Sequence, residues 1–100
     1  MLYNYRTIEL SHYKTNHMEL DNLVAYIARA LVEHPDQVEV NSDERGGAIT
    51  LELTVAQGDM GRVIGKGGRI ANAMRTLVRV AAMREGKRVS LDVVTRVPGA

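Results

Sequence analysis

One hundred residues with 45% hydrophobic side chains and a net charge of +1 allow one small globular domain around a single modest core, with no room for a second. No apolar run approaches the ~20 residues of a membrane-spanning helix, and the N-terminus lacks the charged-then-apolar order of a signal peptide. The absence of cysteine excludes disulfides, thiolate metal sites and a cysteine nucleophile, in keeping with a reducing compartment, and the expected location is cytoplasmic.

Residues 1–17 stand apart as an N-terminal extension. They hold Tyr3, Tyr5, Tyr13, His12 and His17, and Ile8 with Leu10 suits a short β segment. His17-Met18 is also the pair left at a common cloning junction, and Met18 would serve as a start codon. Native arm and added or misassigned leader stand as equal readings.

The domain itself is expected over 18–95, with 96–100 as a tail. From Met18 to Leu31, Leu20, Leu23, Val24, Ile27 and Leu31 recur at three- and four-residue steps, which predicts an amphipathic helix. Asn16 with Glu19 supplies a start resembling a capping box, and Pro35 a stop. Val38 and Val40 alternate within Gln37 to Ser42, a short strand, and Asp43 to Gly47 reads as a turn without an apolar residue. Ile49, Leu51, Leu53 and Val55 alternate with Thr50, Glu52 and Thr54, which is the clearest strand of the chain. Asp59 suits the cap of a short helix to Ile64. Arg69 to Glu85 carries no glycine or proline, is followed by Gly86 at a C-terminal capping position, and predicts a long helix with Ile70, Ala73, Met74, Leu77 and Ala81 on one face. Val89, Leu91 and Val93 complete a last strand. The order predicts an α+β fold with helices packed on one face of a three-stranded sheet.

Charge is unevenly spread along this order. Four basic residues face ten acidic ones up to Asp59, whereas from Met60 onward nine basic residues face only Glu85 and Asp92. The positive part holds V-I-G-K-G-G-R-I, Val63 to Ile70, and so permits a local anion-attracting patch.

Three phosphate-handling motifs compete for those glycines. A Walker A loop needs four residues between its glycines and a hydroxyl after its lysine; here Gly61 and Gly65 enclose three, and Gly67 follows Lys66. A dinucleotide fingerprint follows a strand and ends on glycine; here a short helix precedes, and the last position is Ile70. The third, G-x-x-G between two helices, is met by Gly65, Lys66, Gly67 and Gly68, the loop with which KH domains clamp about four nucleotides. Glycine lets a phosphodiester approach the main chain, and the start of the following helix favours an anion. Lys66 adds a mobile cation, flanked by Arg62 and Arg69. Ile64 and Ala71 are placed to floor a groove for bases, and Asn72 and Arg75 to reach phosphates or base edges.

At this point D-M-G-R-V-I-G-K-G-G-R-I-A-N-A-M-R-T-L-V-R-V-A-A-M-R-E-G-K-R-V-S-L-D-V-V resembles the core of the small bacterial single-KH-domain proteins of the KhpA type. L-V-A-Y-I-A-R-A-L-V-E-H-P-D-Q-V-E-V resembles their opening helix and strand. The resemblance, over about Glu19 to Val94, implies a type II KH fold in αββααβ order, single-stranded RNA as ligand, and no catalysis. It also implies self-association, or pairing with a second KH-containing protein, in control of cell elongation and division. The family's clamp falls on Gly65, Lys66, Gly67 and Gly68, although members commonly carry a longer side chain where Gly67 stands.

Other chemistry finds little purchase. His12, His17 and His34 lack metal-ligand spacing, Ser11, Ser42 and Ser90 sit in no nucleophile elbow, and nothing calls for a cofactor. With no Phe or Trp there is no obvious stacking platform for bases. Two readings follow. One is an RNA-binding module acting in RNA chaperoning or post-transcriptional regulation. The other is a protein-interaction subunit whose G-x-x-G is vestigial.

Overall fold

The computed structural model describes residues 17–96, with side chains from residue 19 onward. Residues 1–16 of the expected arm, with the Asn16 cap, and residues 97–100 of the tail lie outside the described residues, while His17, expected in the arm, is the first residue of the opening helix.

The centre of the molecule is the strand with the strictest alternation, β2 (Ala48–Val55). Ile49, Leu51, Leu53 and Val55 are buried on its helix side, as period-two patterning requires of a half-covered sheet. β1 (Glu39–Arg45) pairs with it antiparallel, from Glu39 opposite Thr54 to Arg45 opposite Ala48, across a Gly46–Gly47 turn. Asp43 to Arg45 therefore belong to the strand and not, as the sequence suggests, to the turn. Their polarity suits an edge strand, solvated on one side and bounded on the other only by β2. Glu44 points inward at the edge and pairs with Lys87 Nζ at 2.9 Å. The strand also begins later than expected, because Pro35–Gln37 forms a 3-10 turn.

β3 (Arg88–Thr95) lies on the other side of β2 and is parallel to it, with Leu91 opposite Leu51. Parallel neighbours need a crossover. That crossover is α2 (Met60–Ile64), the glycine loop and α3 (Arg69–Met83), so the loop is an obligatory part of the fold's connectivity.

α1 (His17–Leu31) and α3 cover one face of the sheet. Leu20, Val24 and Ala28 from α1, Val63 from α2, and Met74 and Val78 from α3 meet the inward residues of β2 and Leu91. This is the expected α+β architecture, with the three-stranded mixed sheet in order β1-β2-β3.

One face of α3 differs from its sequence reading. The buried stripe is Ala71, Met74, Val78 and Ala82, while Leu77 is 51% exposed and Ala73 is exposed too. α3 carries two overlapping apolar stripes, and the one bearing small alanines near both ends lies against the sheet, where it permits close approach. The helix also stops before Glu85. Gly86 N–H donates to Met83 O and Lys87 N–H to Ala82 O, both at 3.0 Å, the paired closure of a Schellman turn.

The opposite sheet face is open and carries charges of both signs. Arg45 pairs with Asp43 at 2.9 Å and Arg96 with Glu39 at 3.2 Å, Arg88 lies in the same row as Ser90 and Asp92, and Glu52 stands directly across from Asp92. Like charges in such a pair repel each other.

Candidate nucleic-acid interface

The glycine loop has a defined shape. Gly65 lies at φ 77°, ψ 170°, Gly67 at φ 64°, ψ 18°, and Gly68 at φ 78°, ψ 13°. Gly68 N–H closes onto Gly65 O at 3.1 Å, and Arg69 N–H onto Lys66 O. Only Gly65 is pinned sterically: a Cβ there would lie 2.6 Å from Ile70 Cγ1, whereas one on Gly67 would meet nothing within 4 Å. The left-handed Gly67 and Gly68 running into the right-handed Arg69 turn main-chain N–H groups toward one concavity at the helix start, a geometry that suits anions.

Around this loop the cations divide into two kinds. Lys66 and Arg69 are exposed, and among the described residues neither has an ion-pair partner. Arg62 is engaged: its Nη2 lies 3.1 Å from Glu33 Oε2 and its Nε 3.8 Å from Asp59 Oδ1. Its charge is offset by those acids, so the field at the loop comes first from Lys66 and Arg69.

Asp59 does something its place before α2 did not suggest. It makes no side-chain cap to that helix. Fully buried, it accepts from Glu33 N–H and His34 N–H, each at 3.0 Å, and from His34 Nδ1 at 3.1 Å. Burial alone pushes this carboxyl up, but the Glu33 amide, the His34 ring and the His34 amide outweigh it and hold the group below the usual aspartate value. The carboxylate thereby ties the chain after α1 to the head of α2, the first half of the loop's support.

The remaining expected residues take distinct places. Ile64 is half-buried and stands outside the main core cluster, an apolar surface beside the loop. Ala71 is 1% exposed; its methyl group is buried and not at the surface expected of a groove floor. Asn72 is exposed, and a Cβ built on Gly68 would lie 3.7 Å from its Nδ2. Arg75 donates from Nε to Leu91 O and from Nη1 to Asn72 Oδ1, both at 3.1 Å. It thus spans from α3 to β3, beside a cleft of about 250 Å³ that Arg79, Ser90, Leu91 and Asp92 help to line.

The structure brings Gly65 to Arg69, Asn72 and Arg75 together and turns Arg62 toward Glu33. Sequence reasoning missed Asp59 as a tertiary clamp and the Leu91 carbonyl as an anchor. An acid before a short helix reads as a cap, and every residue has a carbonyl, so neither role leaves a local signal. Among the described residues no group of three His, Asp or Glu side chains is arranged to hold a metal ion, and no helix is long and apolar enough to cross a membrane.

A helix, a β-hairpin, and a helix, G-x-x-G loop and helix crossing over to a parallel third strand make this a type II KH domain. The chain belongs to the KhpA/KhpB family: the family model described as "KhpA/KhpB, KH domain" matches residues 21–93. It is similar to the "RNA-binding protein KhpA" of Caldanaerobacter subterraneus subsp. tengcongensis, 53% identical over 75 residues that cover 75% of this chain and 100% of that one. The protein of the same description from Treponema pallidum is 46% identical over 74 residues, covering 74% and 92%. Among solved structures, a variant of Aquifex aeolicus Era bound to GDP and aluminium fluoride superposes with a TM-score of 0.53. At 22% identity over 80% of this chain and 31% of that one, the likeness is one of fold.

Proposed function

We propose that this chain is a cytoplasmic single-stranded RNA-binding protein that clamps the sugar-phosphate backbone at Gly65–Gly68. The observation that carries the reading is the loop itself: left-handed glycines at the head of a 15-residue helix, with Lys66 and Arg69 unpaired beside it. Relatives described as RNA-binding proteins support it. Phosphates sit against the loop and its two cations, Asn72 and Arg75 flank them, and Ile64 offers apolar surface to a base. The protein binds and does not catalyse. Its role is that of an RNA chaperone or post-transcriptional regulator, for which the resemblance points to cell elongation and division.

An electrophoretic shift with short single-stranded RNA across a salt series tests this. Each neutralised phosphate on a single strand contributes a slope of about −0.7 to log K against log salt, so neutralisation by the two cations Lys66 and Arg69 predicts a slope of about −1.4. Absence of binding, or affinity indifferent to salt, would leave the protein-interaction reading with a vestigial loop.

A second observation favours self-association. Leu77, Val80 and Met83 on α3 are 51%, 55% and 65% exposed, and Tyr26 on α1 is 76% exposed. Leu77 and Val80 lie on the flank of α3 away from Asn72 and Arg75, so a second copy docked there leaves the loop free. Sedimentation equilibrium should find a dimer that Leu77→Glu with Val80→Glu converts to monomer. A wild-type monomer would instead direct this face to a second KH-containing protein.

A further inference from the structure

We infer that Arg75 is a positioning residue, not a contact to RNA: it fixes the side-chain amide of Asn72 so that Nδ2 donates to the clamped backbone. This rests on the RNA-binding reading above and assigns separate roles to two neighbouring side chains.

The argument begins with what each group can do. A guanidinium only donates, so the Asn72 atom 3.1 Å from Arg75 Nη1 has to be the amide oxygen. The other end of the amide is then the NH₂ group, which lies beside Gly68, within 3.7 Å of where a Cβ would stand. An unrestrained amide has a broad, roughly two-fold final torsion, and in its other orientation it would turn a carbonyl oxygen toward the incoming phosphate. Arg75 removes that orientation.

Arg75 is itself held in place. Its Nε donates to Leu91 O at 3.1 Å, a carbonyl of β3, whose one strand neighbour among the described residues is β2. The chain of contacts therefore runs from the edge of the sheet through Arg75 and Asn72 to the loop. Nε and one Nη1 N–H of Arg75 are held by these two contacts, and through the second Arg75 acts on the phosphate site by orienting Asn72.

The test uses the full chain and a fluorescein-labelled, mixed-sequence single-stranded RNA of about eight nucleotides, twice the number such a loop clamps. Asn72→Ala and Arg75→Ala should each weaken binding by roughly tenfold, and the double variant should bind no more weakly than Asn72→Ala alone. The salt slope should match that of the wild type in all three. If Arg75→Ala weakens the Asn72→Ala protein further and makes the slope shallower by about 0.7, Arg75 itself meets a phosphate and the inference is overturned. A second measurement needs no variant: in the wild-type chain the two Nδ2 protons of Asn72 should shift on titration with the RNA, and unmoved resonances would overturn the inference even if Arg75→Ala fails to fold. A wild-type chain that binds no RNA removes the clamp and this role together. RNA binding that is lost on changing Lys66 and Gly67 but unaffected by Asn72→Ala and Arg75→Ala removes this role alone.

Discussion

The double variant Lys66→Asp, Gly67→Asp is expected to keep the wild-type fold and to lose RNA binding by a factor of one hundred or more, on the order of 3 kcal/mol. The fold survives because both positions are exposed and a Cβ on Gly67 meets nothing within 4 Å. Gly67 has φ 64°, ψ 18°, the left-handed region that aspartate enters more readily than most residues. A penalty of about 1–2 kcal/mol follows, well inside the margin of a small domain. Binding is lost because one cation disappears and two carboxylates take up positions facing the phosphates. Each of those three changes is worth about 1 kcal/mol at 4 Å even with the dielectric of water. Circular dichroism melts establish the fold and fluorescence anisotropy the affinity. A folded double variant with unchanged affinity would mean that the glycines serve only the turn between two helices, and the protein-interaction reading would take over.

How far the sequence discloses this depends on the range of the interaction. The alternation of Ile49, Leu51, Leu53 and Val55 is set by burial of one sheet face, so β2 is legible residue by residue. The G-x-x-G loop is legible because its constraint is the backbone conformation of a few successive residues. Where the deciding partner is distant in sequence, the reading goes astray. Asp43 to Arg45 have no apolar residue and read as turn, yet an edge strand asks only for a neighbour's ladder, and β2 supplies it. Leu77 fits an apolar face of α3 as well as Val78 does, and only the sheet decides that Val78 goes in and Leu77 stays out. Ala71, expected at a groove, is buried. Asp59 stands where a cap would stand, and its true partners, the amides of Glu33 and His34, are more than twenty residues earlier. Arg62, expected to flank the clamp as a free cation, is paired with Glu33 by that same corner.

Gly65→Ala is expected to damage the fold severely, whereas Gly67→Ala is expected to be mild. The two positions look equivalent in the sequence, each a glycine beside Lys66, but their surroundings differ. At φ 77°, ψ 170°, Gly65 occupies a region that is essentially closed to side-chain-bearing residues, a strain of about 1–3 kcal/mol. Its new methyl would also lie 2.6 Å from Ile70 Cγ1 and 3.0 Å from Ile70 Cβ. Ile70 is β-branched and sits in the first turn of α3, so its rotamer is confined, and because Cβ itself is in the way, rotation of the side chain does not relieve the contact. Overpacking of this kind adds about 1–3 kcal/mol. Together they correspond to a fall in thermal midpoint of roughly 10–45 °C for a domain of this size. Gly67→Ala, with open space around it, carries only the left-handed penalty of about 1–2 kcal/mol and should shift the midpoint by about 5–15 °C at most. Calorimetry on the two variants gives the comparison directly. Equal midpoints would show that the loop can rearrange around Ile70, and that the approach of α2 to α3 is not fixed by the absence of a side chain at Gly65.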